Sequence, residues 1–288
     1  MTLQELKYLV AVAQERHFGR AAERVFISQS TLSAQIKKLE EYLGVTIFDR
    51  SQKRVSVTPA GEAILQQARL VLGEADKLRQ IAQQSTDPLA GSVKLGIIPT
   101  IAPYLLPHVL PQLHAQLPQM RLLLREDLTP NLLGLLAQGQ LDCAIMALPV
   151  MDGTLESLPL YEESFVLALP PQHPLGVHKT LTTTQIPLDE ILLLEEGHCL
   201  RDQVLDICQA ARHYRAEEIR ATSLETLRHM VAMGLGCTLL PALAAPQASN
   251  VCIRSFKAPA PTRTVGLVWR KRYARSEAMQ AIAKVMCT

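Results

Sequence analysis

The sequence predicts an α/β protein in which a winged helix-turn-helix and one long helix precede a larger region of alternating strands and helices. Three observations carry that expectation. Apolar residues recur at helical spacing through residues 3–43, with a capping serine ahead of the last stretch. Residues 59–84 then hold one unbroken apolar stripe. From residue 93 onward, short apolar runs alternate with helix-spaced segments, the pattern of parallel α/β sheets.

Each element follows in order. Leu3, Leu6, Leu9, Val10 and Ala13 define a helix over residues 3–15, and Arg20–Phe26 forms a second with Ala21, Ala22 and Val25 inward. Ser28 caps a third helix, Gln29–Leu43, which Gly44 closes. Its apolar face is Leu32, Ile36, Leu39 and Leu43; Gln29, Ser30, Thr31, Ser33, Gln35 and Lys38 occupy the other. Two short helices with a tight connection and a polar second member describe a helix-turn-helix. Residues 45–58 read as a hairpin with Arg50, Lys53 and Arg54 at its tip, a wing. Thr58-Pro59 opens the long helix, Pro being favoured in a first turn, and residues 85–88 read as a linker. Its stripe suggests a coiled-coil-like dimer contact; packing on its own domain is the plainer reading.

Beyond residue 88, strands are expected at 93–98, 121–125, 142–148, 165–169, 191–194, 219–221, 238–240 and 265–269. Helices are expected at 104–117, 132–138, 202–212, 224–233 and 276–286. Ligands in such sheets bind beside strand carboxyl ends. Pro99-Thr100, Thr129-Pro130 and Gly197-His198-Cys199 all fall there.

Net charge is only +2, which excludes a globally basic coat protein. The charge is uneven: residues 1–58 carry nine Lys/Arg against six Asp/Glu, enough to contact phosphates. No leader or membrane span is recognised, so a cytoplasmic protein without membrane association is expected, where an oxidisable thiol pair is usually catalytic or sensing. The six cysteines show no zinc-like spacing, so neither metal nor other cofactor is expected. Cys199 and Cys208 lie nine residues apart, flanking a helix-compatible segment. As a helix it separates their Cα atoms by roughly 13 Å, whereas a disulfide needs about 7 Å. Bridging them would unwind the helix, although buried cysteines are more often inert.

The run AERVFISQSTLSAQIKKLEEYLGVTIFDR followed by VSVTPAGE resembles the LysR-type transcriptional regulators. Within that family, GHCLRDQ with a second cysteine at 208 resembles the hydrogen-peroxide sensors, as do IIPTIAPYLLPHVLPQLH, GQLDCAIMAL, RATSLETLRHMVA and TLLPALA. The resemblance implies a winged helix-turn-helix over 1–58, a linker and dimerisation helix over 59–87, and a two-lobed domain like the type II periplasmic binding proteins over 88–288. Lobe I would be 88–163 and 265–288, and lobe II 164–264. It further implies a homotetramer whose partners are double-stranded DNA, RNA polymerase, and thioredoxin or glutaredoxin as reductants. Two departures stand out, Ser30 where the family often has Pro and a chain ending at Thr288, from which a weaker subunit contact is expected.

By the same resemblance Cys199 is the peroxidatic cysteine and Cys208 the resolving one. Thr100, Thr129, His198 and the backbone N–H of Leu200 hold peroxide, with Arg270 adding positive charge. Thr31, Ser33 and Gln35 suit base edges, and Ser28, Ser30, Lys38, Arg50, Lys53 and Arg54 suit phosphates or a groove. The function expected is a peroxide-responsive regulator, an activator without turnover. A regulator answering a small effector between the lobes, and a thiol peroxidase on a binding-protein scaffold, are the alternatives. Helix capping is the plainer alternative for Thr100 and Thr129, and the joint match favours the peroxide role.

Overall fold

The computed structural model describes residues 1–49, 55–84, 89–208, 221–245 and 250–287. It divides into two compact units, Met1–Asp87 with Ala137–Gln140, and Pro88–Leu136 with Leu141–Thr288. No helix among the described residues is long and apolar enough to cross a membrane.

The first unit opens with α1 (Leu3–Glu15), whose N-cap Thr2 accepts from the Glu5 backbone in a capping box. Helix α2 is Phe18–Arg24, starting two residues earlier than the periodicity predicts because the His17 ring accepts from Gly19 and Arg20 backbone N–H groups. It also ends earlier, since Phe26 adopts a left-handed backbone at φ 57°. Helix α3 (Gln29–Leu43) has the expected bounds: Ser28 Oγ accepts from Thr31 N, and Gly44 closes it at φ 70°. Strands β1 (Phe48–Asp49) and β2 (Ser56–Val57) pair antiparallel as the hairpin; Arg50, Lys53 and Arg54 lie outside the described residues. Helix α4 (Pro59–Gln84) begins where Thr58 Oγ1 accepts from Gly61 N. Leu65 and Ala68 enter the core formed by Leu9, Val12, Leu32, Ile36, Ile47 and Phe48. Farther along, Leu78 is 70% exposed, so only the first half of the stripe is used within this unit.

The second unit is built on strands β3 (Gly91–Ile97), β4 (Met120–Glu126), β5 (Cys143–Leu148), β6 (Leu155–Leu169), β7 (Thr180–Leu181), β8 (Thr238–Pro241), β9 (Cys252–Phe256) and β10 (Thr262–Arg270). Helices α5 (Ala102–Gln116), α6 (Thr129–Ala137), α7 (Cys199–Cys208), α8 (Leu224–Ala232) and α9 (Ser276–Met286) accompany them. The sheet is not wholly parallel as expected. β3 pairs parallel with β4 and β5, whereas β10 runs antiparallel to both β5 and β6. β6 is three times the predicted length: its first part pairs with β10 and its last with β8 and β9. Residues 155–164 escape a hydrophobic reading because they mix charges with Pro159, which sits at a register shift where its missing N–H is tolerated.

Two apolar cores result, one around Leu95, Ile145, Leu267 and Ile282, the other around Leu167, Leu193, Leu227 and Leu239. The predicted strand at 191–194 makes only isolated parallel bridges, Ile191 to Cys237 and Leu194 to Ala221. Residues 219–220 and 209–212, expected as strand and helix, lie outside the described residues.

Candidate functional site

Three chain segments far apart in sequence meet at one pocket. Ile98, Pro99, Thr100, Leu128, Thr129, Gly197, His198 and Cys199 line a space of about 150 Å³. Each segment leads into a helix: Thr100 precedes α5, Thr129 opens α6 and Cys199 opens α7. Three helix N-termini therefore converge, and their dipoles favour an anion there. Gly197 makes the turn into α7 at φ 93°, a left-handed conformation, and a Cβ there would stand 3.1 Å from Leu128 Cδ1.

Thr100 is buried at 2% exposure and His198 at 7%. Burial pushes the His198 imidazole below its ordinary value, against the opposing pull of Glu195, so the ring is neutral at pH 7. The buried Thr129 hydroxyl has no partner in good hydrogen-bonding geometry, yet lies near enough to Cys199 to favour its thiolate. On the Cys199 thiol, burial is the largest influence and pushes it above the ordinary range; Asp202 pushes the same way. Thr129, Arg263 and the Leu200 N–H pull it down. Burial wins, so the resting group is a thiol. The anion-favouring start of α7 is present but outweighed.

The cation beside this pocket is Arg263, not Arg270. Arg263 is 4% exposed; its Nη1 donates to Thr100 Oγ1 at 3.2 Å and its Nη2 to the Thr100 carbonyl at 3.2 Å. Its Nε donates to Glu163 Oε2 at 2.8 Å, and Glu163 Oε1 accepts from Leu243 N at 2.9 Å. Arg270 instead donates to the Leu136 and Leu141 carbonyls and stacks 5.6 Å from the Tyr273 ring centre. The physical reason is reach: the two arginines stand at opposite ends of β10, seven residues or about 23 Å apart. Arg263 and Glu163 pair directly across β10 and β6, a register that no reading of either strand alone supplies. The only sequence signal is opposite charge just ahead of two apolar strand runs.

Cys199 and Cys208 occupy the two ends of α7, and both are free thiols. Ten residues of helix put their Cα atoms roughly 13 Å apart. Leu200, Val204 and Cys208 are buried in the core with Leu193 and Leu227. Burial pushes the Cys208 thiol up to about 11. No group of three His, Cys, Asp or Glu suited to a metal occurs among the described residues.

In the first unit, Ser28, Ser30, Thr31 and Lys38 are exposed on α3, and Ser33 and Gln35 half-buried. Ser28 Oγ also contacts Ser30 Oγ at 2.9 Å and Thr31 Oγ1 at 2.7 Å, so its capping role is evident. The structure brings these together on one helix and places Thr100, Thr129, His198, Cys199 and Leu200 together in the other unit.

Residues 3–62 match the model of the bacterial regulatory helix-turn-helix protein, lysR family, and residues 86–286 that of the LysR substrate binding domain. A hydrogen peroxide-inducible genes activator from Dickeya chrysanthemi is 43% identical over 273 residues, 94% of this chain and 90% of that protein. The DNA-binding transcriptional dual regulator OxyR of Escherichia coli K12 is equally 43% identical over 94% of this chain and 90% of its own length. Among solved structures, a full-length OxyR variant from Pseudomonas aeruginosa superposes with TM-score 0.79 at 43% identity, covering 100% of this chain and 98% of that one. A hydrogen-peroxide-bound OxyR mutant from Corynebacterium glutamicum gives TM-score 0.66 at 34% identity, over 99% and 91%. With both of its regions matched and relatives this similar along nearly its whole length, the chain belongs to the LysR family of bacterial transcriptional regulators.

Proposed function

We propose that this protein is a hydrogen-peroxide-sensing, DNA-binding activator of transcription, switched by a reversible disulfide between Cys199 and Cys208. The carrying observation is the small pocket in which Thr100, Thr129 and His198 surround Cys199 while Arg263 braces Thr100. Hydroxyls suit peroxide because they donate to one oxygen and accept from the other. The space these residues enclose is far smaller than an ordinary ligand site, which disfavours a larger effector at this place.

The Cys199 thiolate attacks one peroxide oxygen in line, the O–O bond breaks, and the departing hydroxide takes a proton to leave as water. Thr100, Thr129 and the Leu200 N–H stabilise that departing charge. Cys199 becomes a sulfenic acid, two electrons having passed to peroxide. The Cys208 thiolate then attacks the Cys199 sulfur, water leaves, and a disulfide forms. That second step requires residues 200–207 to leave their packed positions, so the redox change becomes a change of shape. A dithiol of the thioredoxin or glutaredoxin class resets it by exchange.

The proposed division is a winged helix-turn-helix over 1–58, a linker and dimer helix over 59–87 and two lobes beyond. The separate apolar cores of the N-terminal and C-terminal regions support it. Thr31, Ser33 and Gln35 would read bases, with Ser28, Ser30, Lys38 and the wing cations on the backbone. The proposal extends to a homotetramer in the cytoplasm that engages RNA polymerase, and to no sustained peroxide turnover. Mass spectrometry of the full chain after stoichiometric peroxide should find a Cys199–Cys208 crosslink, and Cys199→Ser should abolish transcriptional induction. Absence of the crosslink with both thiols intact would sink the reading.

A further inference from the structure

Phe26, in the turn between α2 and α3, is explained neither by its backbone nor by burial. Its φ of 57° is left-handed, where a bulky side chain is a genuine outlier and Gly or Asn is the usual occupant. Its side chain is 93% exposed, so the strain is not offset by packing. In the turn, Phe26 N donates to the Glu23 carbonyl at 3.2 Å and Ile27 N to the Ala22 carbonyl at 3.1 Å. Among the described residues, burial gives no reason for a ring at this position.

We infer that Phe26 is a DNA-contacting residue, its ring packing on deoxyribose or thymine methyl groups beside the bases met by α3. Position argues for duplex DNA as the occupant. Phe26 stands two residues ahead of the Ser28 cap, at the same end of α3 as the exposed Gln29, Ser30 and Thr31. The N-terminal end of a recognition helix is the part that reaches base edges. Charge agrees, because Arg20 and Arg24 on the preceding helix, although both pair with Glu15, keep 65% and 53% of their side chains exposed and carry one net positive charge with it towards phosphates. Apolar contact with a thymine methyl is an established mode of base discrimination. The inference rests on the DNA-binding reading given above, and deepens it by adding an apolar contact to a polar face.

The test uses the full chain and a duplex that the wild-type protein selects from a randomised pool. Phe26→Asn should weaken binding roughly tenfold, the loss of one good base contact. The slope of log affinity against log salt should stay the same, because no phosphate contact is removed. The same variant should melt a few degrees higher, since Asn tolerates the left-handed backbone. Phe26→Tyr should restore affinity. Unchanged binding by Phe26→Asn, or a reduced salt slope, overturns the inference while leaving the DNA-binding reading intact. A changed sedimentation coefficient overturns it as well, because the ring would then serve a contact between copies. If the wild-type protein enriches no duplex, the reading of α3 falls and this inference falls with it.

Discussion

Arg263 and Arg270 differ by seven positions and by everything that matters to the pocket. Arg263 bridges Thr100 and Glu163, while Arg270 donates to two backbone carbonyls. Arg263→Gln should slow peroxide oxidation of Cys199 tenfold or more, the scale of losing one preorganised donor. It should also destabilise the fold by about 3–5 kcal/mol, because Glu163 would remain buried without its partner. Arg270→Gln should leave the oxidation rate unchanged and cost only about 1–3 kcal/mol. Stopped-flow thiol assays and thermal melts separate the two; a slow Arg270→Gln protein would contradict the assignment. The pH dependence follows from the burial of Cys199. Its pKa is raised, so the reactive thiolate is the minor form at neutral pH and gains tenfold with each unit of pH. The oxidation rate should therefore climb through neutrality without levelling off below about pH 8.5, the ordinary thiol value. A plateau at lower pH would mean that the three helix termini outweigh burial after all.

In the proposed switch α7 is the moving element, because its two ends carry Cys199 and Cys208 and its middle is clamped in an apolar core. Leu200 is 1% exposed and Val204 2%. Leu200→Ala should destabilise the helical form by about 2–5 kcal/mol, with little effect once the segment has unwound. The disulfide form then gains relative to the dithiol. Its reduction potential should become roughly 40–100 mV more negative, at about 30 mV per 1.4 kcal/mol. Redox titration against a glutathione or dithiothreitol buffer reads this shift directly. A potential that does not move would show that Leu200 stays equally buried after oxidation, and the switch would lose its mechanical cost.

At the scale of the whole molecule, α4 uses only part of its stripe. Leu65 and Ala68 are buried in the N-terminal core, whereas Leu78 is 70% exposed. An apolar side chain so placed fits the proposed contact between copies. Leu78→Asp should lower the oligomeric state in sedimentation velocity while leaving the melting of the N-terminal unit unchanged. An unaltered assembly would assign dimerisation elsewhere.

Local chemistry made much of this protein legible. α3 ends where Ser28 and Gly44 say it must, α9 follows its apolar face, and the strands around Val93, Arg121, Asp142 and Val265 stand where apolar runs put them. Helix α2 was less legible because a histidine cap and a left-handed Phe26 set its ends, neither of which periodicity registers. The first half of β6 was hidden by its charges, and the run at 191–194 is apolar yet forms only isolated bridges. For the site, the resemblance named Thr100, Thr129, His198 and Cys199, which the structure brings together, and Arg270, which it places on the Leu136 and Leu141 carbonyls instead. Sequence alone determined the caps, the apolar faces and the nine-residue interval between two thiols, because each depends on neighbours along the chain. Only the tertiary structure decided which cation meets Thr100 and whether burial or helix dipoles govern Cys199. Those answers depend on strand register and on the depth of packing, which no local segment contains.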